Sequence, residues 1–210
     1  VSTSWLGHAQ TNTGGAWMGV GAKKELSDKF DLKGGLEFRT LGGFTDYQTT
    51  FSELGVQYKV MEGLDAEVNY RLGYRRNDEN FIWRQRFNVD LNYEYDFGKP
   101  ELDFRVRYQF ARAGVAVDED GPPELNDAFR YRLRGSTEVV DDLDVDLSYE
   151  LFQSRDERGF SLSDWRLRLQ FSKKISKKQD LTFGYLIQRQ MNRANPDTEH
   201  IFTVGYSFEL

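Results

Sequence analysis

Phe81-Ile-Trp-Arg-Gln-Arg-Phe-Asn-Val-Asp-Leu-Asn-Tyr-Glu-Tyr-Asp-Phe97 alternates with a period of two. Phe81, Trp83, Phe87, Val89, Leu91, Tyr93, Tyr95 and Phe97 share one face, and only Gln85 interrupts them. Arg84, Arg86, Asn88, Asp90, Asn92, Glu94 and Asp96 share the other. Successive side chains of a strand leave opposite faces of the pleat, whereas a helix, repeating every 3.6 residues or so, would scatter both sets around its circumference. The segment predicts a long strand with one apolar and one ionic face.

The same pattern recurs along the chain. Leu64, Ala66, Val68, Tyr70, Leu72 and Tyr74 oppose Asp65, Glu67, Asn69, Arg71 and Arg75; Leu102, Phe104, Val106, Tyr108 and Phe110 oppose Asp103, Arg105, Arg107 and Gln109. Phe129, Tyr131, Leu133 and Val139 oppose Arg130, Arg132, Arg134 and Glu138, and Trp165, Leu167, Leu169 and Phe171 oppose Arg166, Arg168, Gln170 and Ser172. Leu181 to Ile187 and Phe202 to Phe208 follow the rule, and weaker alternation covers 2–10, 16–26, 30–41, 49–60 and 143–154. Together these make about twelve strands, an even number as in most up-and-down barrels.

Connections alternate in length. Ser27 to Lys29, Met61 to Gly63, Gly98 to Glu101, Asp141-Asp142 and Ser176 to Asp180 are tight. Thr11 to Gly15, Gly42 to Gln48, Asn77 to Asn80, Arg112 to Asp127, Arg155 to Ser161 and Asn192 to Thr198 are mostly longer. With strands running up and down, tight turns collect at one end and loops at the other, the asymmetry of transmembrane barrels between periplasmic turns and external loops. Pro122-Pro123 falls in the longest loop. The paired glycines Gly14-Gly15, Gly34-Gly35 and Gly42-Gly43 lack the context of a phosphate loop and read as turn or bulge glycines.

Composition narrows the functional classes. Over 210 residues, hydrophobic content is 39%, and 28 Lys plus Arg face 34 Asp plus Glu for a net charge of -6, which disfavours nucleic acid as a partner. Aromatics at 15% argue against disorder. With no Cys and 2 His, thiolate sites are excluded and little remains for zinc, so neither metal nor cofactor is expected. No segment reads as a membrane-spanning helix: the longest stretch free of charge, Val1 to Ala22, is broken by Gln10, Asn12, Gly14 and Gly15. A start at Val1 without Met suits a mature exported chain freed of its signal peptide, and equally a truncated one.

Alternation alone does not say which face meets water, because a soluble antiparallel sheet gives the same code. The ionic face carries Arg39, Arg71, Arg75, Arg84, Arg86, Arg105, Arg107, Arg130, Arg132, Arg134, Arg166 and Arg168. At roughly 2 kcal/mol for each lipid-facing Arg, exposing them all to a bilayer would exceed any folding stability, so in a membrane barrel that face is the lumen. Three features favour lipid over a soluble sandwich: strands of ten or more residues, Tyr and Trp toward strand ends at Tyr74, Trp83, Tyr95, Trp165 and Tyr206, and the ending Gly205-Tyr206-Ser-Phe208-Glu-Leu210. In that ending, Gly205, Tyr206, Phe208 and Leu210 have the spacing of an outer-membrane barrel-insertion signal, with Leu in place of the commoner Phe.

Leu54-Gly-Val-Gln-Tyr58, Tyr70-Arg-Leu-Gly-Tyr-Arg75, Trp83-Arg-Gln-Arg86, Phe129-Arg-Tyr-Arg-Leu-Arg134 and Gly205-Tyr-Ser-Phe208 resemble a bacterial family of outer-membrane proteins described only as a domain of unknown function and common in the Bacteroidota. The resemblance spans almost the whole chain and implies a single barrel domain in a Gram-negative outer membrane, but no activity. It implies membrane lipid, the barrel assembly machinery and other envelope proteins as partners.

Strand direction then layers the charge. Arginines of the ionic face gather in the outer and middle lumen, while Asp31, Asp65, Glu67, Asp90, Glu94, Asp103, Glu138, Asp144 and Asp146 gather toward the tight-turn end. Two readings follow: a narrow porin-like pore whose Arg rings favour small anions, or a closed accessory barrel plugged by Arg–carboxylate pairs within a larger assembly. Catalysis is not expected, because His8 and His200 point to opposite faces without a partner nucleophile or carboxylate. Asp141-Asp142, Asp144 with Asp146, and Asp118-Glu119-Asp120 read as turns or solvated faces rather than calcium sites. Lys173-Lys174 and Lys177-Lys178 read as a solvated turn.

Overall fold

Every alternating segment within the described residues is a strand in the computed structural model, which describes residues 12–77, 80–96, 98, 100–113 and 124–210. The strands are β1 (Asn12–Ser27), β2 (Phe30–Thr40), β3 (Tyr47–Met61), β4 (Leu64–Asn77), β5 (Asn80–Asp96), β6 (Glu101–Ala113), β7 (Glu124–Val140), β8 (Leu143–Asp156), β9 (Gly159–Ser176), β10 (Gln179–Gln190) and β11 (Thr198–Glu209). Each pairs antiparallel with its sequence neighbours, and β1 closes the barrel against β11. Among the described residues eleven strands, not twelve, complete the ring; segment 2–10 lies outside them.

An odd count has a geometric consequence at the seam. Strands that alternate in direction leave the first and last of eleven running the same way, so β1 and β11 pair in parallel from Asn12 opposite Thr198 to Lys23 opposite Glu209. Asn12–Gly15, expected as loop, is strand in this seam.

The tight turns occur where expected. β1–β2, β3–β4, β7–β8 and β9–β10 turn over two residues each. Gly63 adopts φ 74° in the β3–β4 turn, where an added Cβ would lie 2.7 Å from the Glu94 carbonyl oxygen, and Asp142 takes φ 63° in the β7–β8 turn. At the opposite end the loops are less uniform than expected. β2–β3 and β10–β11 keep six- and seven-residue connections, but β8 runs to Asp156 and β9 starts at Gly159, leaving two residues between them. Strand pairing also extends through Asn77 and Asn80, and Arg112 and Asp127 lie in β6 and β7. Residues 114–123, with Pro122-Pro123 and Asp118-Glu119-Asp120, are outside the described residues, as are His8 and Phe97. Gly34-Gly35 forms no turn or bulge; it sits within β2 opposite Ala22 and Gly21.

The apolar face is outside. Val89, Leu91 and Phe87 on β5 are 50%, 53% and 47% exposed, and Leu54, Leu133, Leu147 and Phe183 are likewise open on other strands. The polar face is inside, where Asn69, Asn88, Asp90, Arg107, Arg130 and Glu150 are buried. A soluble barrel reverses this arrangement. Neighbouring rings pack along the outer wall, as in Tyr70 with Phe87 at 4.8 Å, Tyr108 with Phe129 at 5.0 Å and Tyr74 stacked on Phe81 at 4.8 Å between centroids. Among the described residues no helix is long and apolar enough to cross a membrane, which leaves crossing by strands untouched.

Candidate functional site

Inward-facing residues of successive strands meet in cross-strand rows, and several rows place arginine beside arginine. Arg71 lies opposite Arg86, Arg105 opposite Arg132, and Arg107 opposite Arg130. Like charges directly opposite destabilise a sheet, so each pair needs a counter-charge. Glu53 on β3 accepts from Arg71 Nε at 2.7 Å and lies 3.7 Å from Arg86. Asp90 binds Arg107 through both oxygens at 2.7 and 2.5 Å, in the bidentate geometry that makes guanidinium–carboxylate pairs strong. Asp103 takes Arg132 at 2.6 Å and lies 3.8 Å from Arg134, which also reaches Asp146 at 3.5 Å.

Glu150 on β8 is the most heavily used carboxylate. It meets Arg105 at 2.6 Å, Arg130 at 2.8 and 3.1 Å, and Arg166 at 3.4 Å, with a side chain 6% exposed. One carboxylate offers about four lone-pair directions, so it can serve three guanidiniums at once. Arg39 pairs with Glu37, two residues away on its own strand.

Apolar side chains also enter the lumen. Trp17 and Phe51 are 7% exposed there, and Leu186 and Ile201 are fully buried beside Trp17. Guanidiniums lie over these rings: Arg39 at 3.8 Å from the Trp17 centroid, Arg71 at 3.5 Å from Phe51, and Arg130 at 4.5 Å from Phe152. A stacked guanidinium uses its face, so its N–H edges stay available and its orientation is fixed.

Charge along the axis is graded. At the loop end a cavity of about 280 Å³ is lined by six arginines, Arg39, Arg71, Arg75, Arg84, Arg86 and Arg166, against one carboxylate, Glu199. Below it an inner chamber of about 440 Å³ has nine arginines against Glu37, Glu53, Glu150 and Asp164. Trp17, Arg39, Arg71, Arg86, Gln109 and Arg166 line both spaces and form the collar between them. The next level, about 330 Å³, balances Lys33, Arg105, Arg107, Arg132 and Arg134 against Asp65, Glu67, Asp90, Glu94 and Asp103. At the tight-turn end, Lys23, Lys29 and Lys59 face Glu25, Asp28, Asp31, Asp65 and Glu94.

All twelve arginines of the expected basic cluster therefore line these spaces. Of the expected acidic layer, Asp31, Asp65, Glu67, Asp90, Glu94 and Asp103 lie in the lower two levels; Asp146 is buried against Arg134, and Asp144 stands opposite Glu138 near the β7–β8 turn. The layering is less strict than the sequence reading held, because Glu37, Glu53, Glu150, Asp164 and Glu199 sit among the arginines. Their signal was present: Glu53 and Glu150 share the inward phase of their strands. They escape notice, as do Lys23, Lys33, Lys59 and Trp17, because each lies in a segment of weak alternation, and Lys29 because it stands in a tight turn.

In the terminal strand, Gly205 faces inward, where an added Cβ would meet Thr182 Oγ1 at 2.5 Å, while Tyr206 and Phe208 sit 6.2 Å apart on the outer wall. The Leu210 amide donates to the Lys23 carbonyl at 2.9 Å. His200 faces outward and its Nδ1 hydrogen-bonds the Tyr185 hydroxyl at 2.6 Å.

The family model described as Protein of unknown function (DUF2490) matches residues 14–199. Among solved structures, the β domain of the Bordetella autotransporter BrkA is similar at TM-score 0.55 and 12% identity, covering 88% of this chain and 85% of that one. An anion-selective porin from Comamonas acidovorans aligns at TM-score 0.42 and 13% identity, covering 88% of this chain and 54% of that one. No curated protein matches the sequence. The first of these likenesses identifies the fold as a closed β-barrel like those of outer-membrane proteins.

Proposed function

The chain belongs to the DUF2490 family, and from that premise we propose that it is an outer-membrane barrel forming a narrow, anion-preferring passage. The observation that carries this reading is the excess of arginine over carboxylate in the two upper chambers. Rings of basic side chains within a low-dielectric wall attract anions and repel cations. The apolar wall faces lipid, the tight turns face the periplasm, and the loops face outward. Its partners on this reading are membrane lipid and, during insertion, the barrel assembly machinery, which reads the Gly205 to Leu210 ending. The role is passage, without a reaction of its own.

Planar-bilayer recording tests it. Under a KCl gradient the reversal potential should take the sign of chloride permeation, and Arg39→Glu with Arg71→Glu should move it toward potassium. Strong cation preference in the unaltered protein would refute the proposal.

A second reading has its own support. Leu186 and Ile201 face inward yet are fully buried, and Glu150 ties β6, β7 and β9 together across the lumen. Both suit a plugged barrel acting within a larger envelope assembly. That reading expects no conductance and stoichiometric co-purification with other envelope proteins.

A further inference from the structure

We propose that the inner chamber binds a divalent tetrahedral oxyanion of the phosphate type. This deepens the anion-passage reading and depends on it for the route of entry, but not for the binding.

Charge imbalance is the first ground. Nine arginines line the chamber against four carboxylates, and even when Asp90 and Asp103 are added from the level below, three guanidinium charges stay uncompensated. Arg168 shows where. Among the described residues it has no carboxylate within ion-pair distance, and its Nε is buried without a hydrogen-bond partner. Arg86 is similar: its Nε is also buried and unpartnered, and its carboxylate contact, Glu53, is at 3.7 Å.

Shape selects the kind of anion. A guanidinium presents parallel N–H groups in a fork that matches adjacent oxygens of an oxyanion, whereas a spherical halide engages only one direction of it. Stacking of Arg39 on Trp17 and of Arg71 on Phe51 fixes the collar above, so those charges are ordered before a ligand arrives. Ser148 on the β8 wall adds a neutral hydroxyl to the same space. A surplus near three charges favours a dianion over a monovalent ion.

Titration calorimetry on the detergent-purified barrel at pH 8 and constant ionic strength tests this, with inorganic phosphate as the probe and nitrate as the monovalent oxyanion. Saturable phosphate binding is expected, at least tenfold tighter than nitrate. Arg86→Gln/Arg168→Gln should weaken it tenfold or more, with the barrel's circular dichroism unchanged. Arg168→Lys, which keeps the charge and loses the fork, should also weaken it, and Arg158→Gln in the exposed β8–β9 turn should not. Equal affinity for nitrate, full binding by the folded double variant, or no saturable phosphate signal would overturn the proposal. The passage reading is judged separately by chloride conductance: binding in a non-conducting barrel supports the site and removes the pore, while conductance without phosphate binding does the reverse.

Discussion

Glu150 concentrates the residue-scale energetics of the lumen. Removing one partner of a buried ion pair is costly because the remaining charge stays desolvated, and here one substitution strands three arginines. Glu150→Gln is expected to lower unfolding stability by about 3 kcal/mol, read from reversible urea unfolding in liposomes. Glu37→Gln should cost less, because among the described residues Glu37 forms an ion pair with Arg39 alone and that guanidinium keeps its stacking on Trp17. Gly184 offers a steric counterpart. An added Cβ would meet the Leu169 carbonyl oxygen at 2.9 Å and Thr203 Oγ1 at 2.6 Å. Gly184→Ala should therefore destabilise by about 1–3 kcal/mol, the range for overpacking, in the same unfolding assay.

At the scale of elements, the parallel seam between β1 and β11 is the arrangement least expected from sequence. Its register makes a direct prediction: Met18 lies opposite Val204. The Met18→Cys/Val204→Cys variant should form an intramolecular disulfide on mild oxidation, detected as a mobility shift, and Met18→Cys/Phe202→Cys should do so far less, because its partners are offset by two residues. The strands themselves were legible, since Phe81 to Asp96 announces its two faces in every residue but Ile82 and Gln85. Boundaries were less so. Asp156 and Gly159 flank a turn as short as those at the other end, and the polar residues Arg155 to Ser161 read as loop because polarity at a strand end looks like polarity in a loop. The luminal carboxylates were half legible: Asp90 and Asp103 stand in strongly alternating strands, whereas Glu53 and Glu150 stand in strands diluted by Ser, Thr and Gly. Which arginines share a carboxylate depends on register between strands, and no single strand contains that information.

For the molecule as a whole, the exterior is the apolar surface and the interior the ionic one. If lipid surrounds the wall, Val89→Arg near the middle of β5 should cost about 2–4 kcal/mol of stability in liposomes, the depth-dependent penalty for a lipid-facing Arg. Asn92→Arg, three residues on along β5 and lining the lumen, tests the opposite surface and should change ion selectivity instead. A small effect of Val89→Arg would count against a bilayer environment. Among the described residues, the odd number of strands also sets where the first strand begins and the last one ends. Asn12 stands beside Thr198 at the loop rim, and Leu210 is tied to Lys23 near the tight-turn rim. Across a membrane, these two residues would belong to different compartments, so a peptide label spliced ahead of Asn12 and another appended to Leu210 would answer to reagents applied from opposite sides.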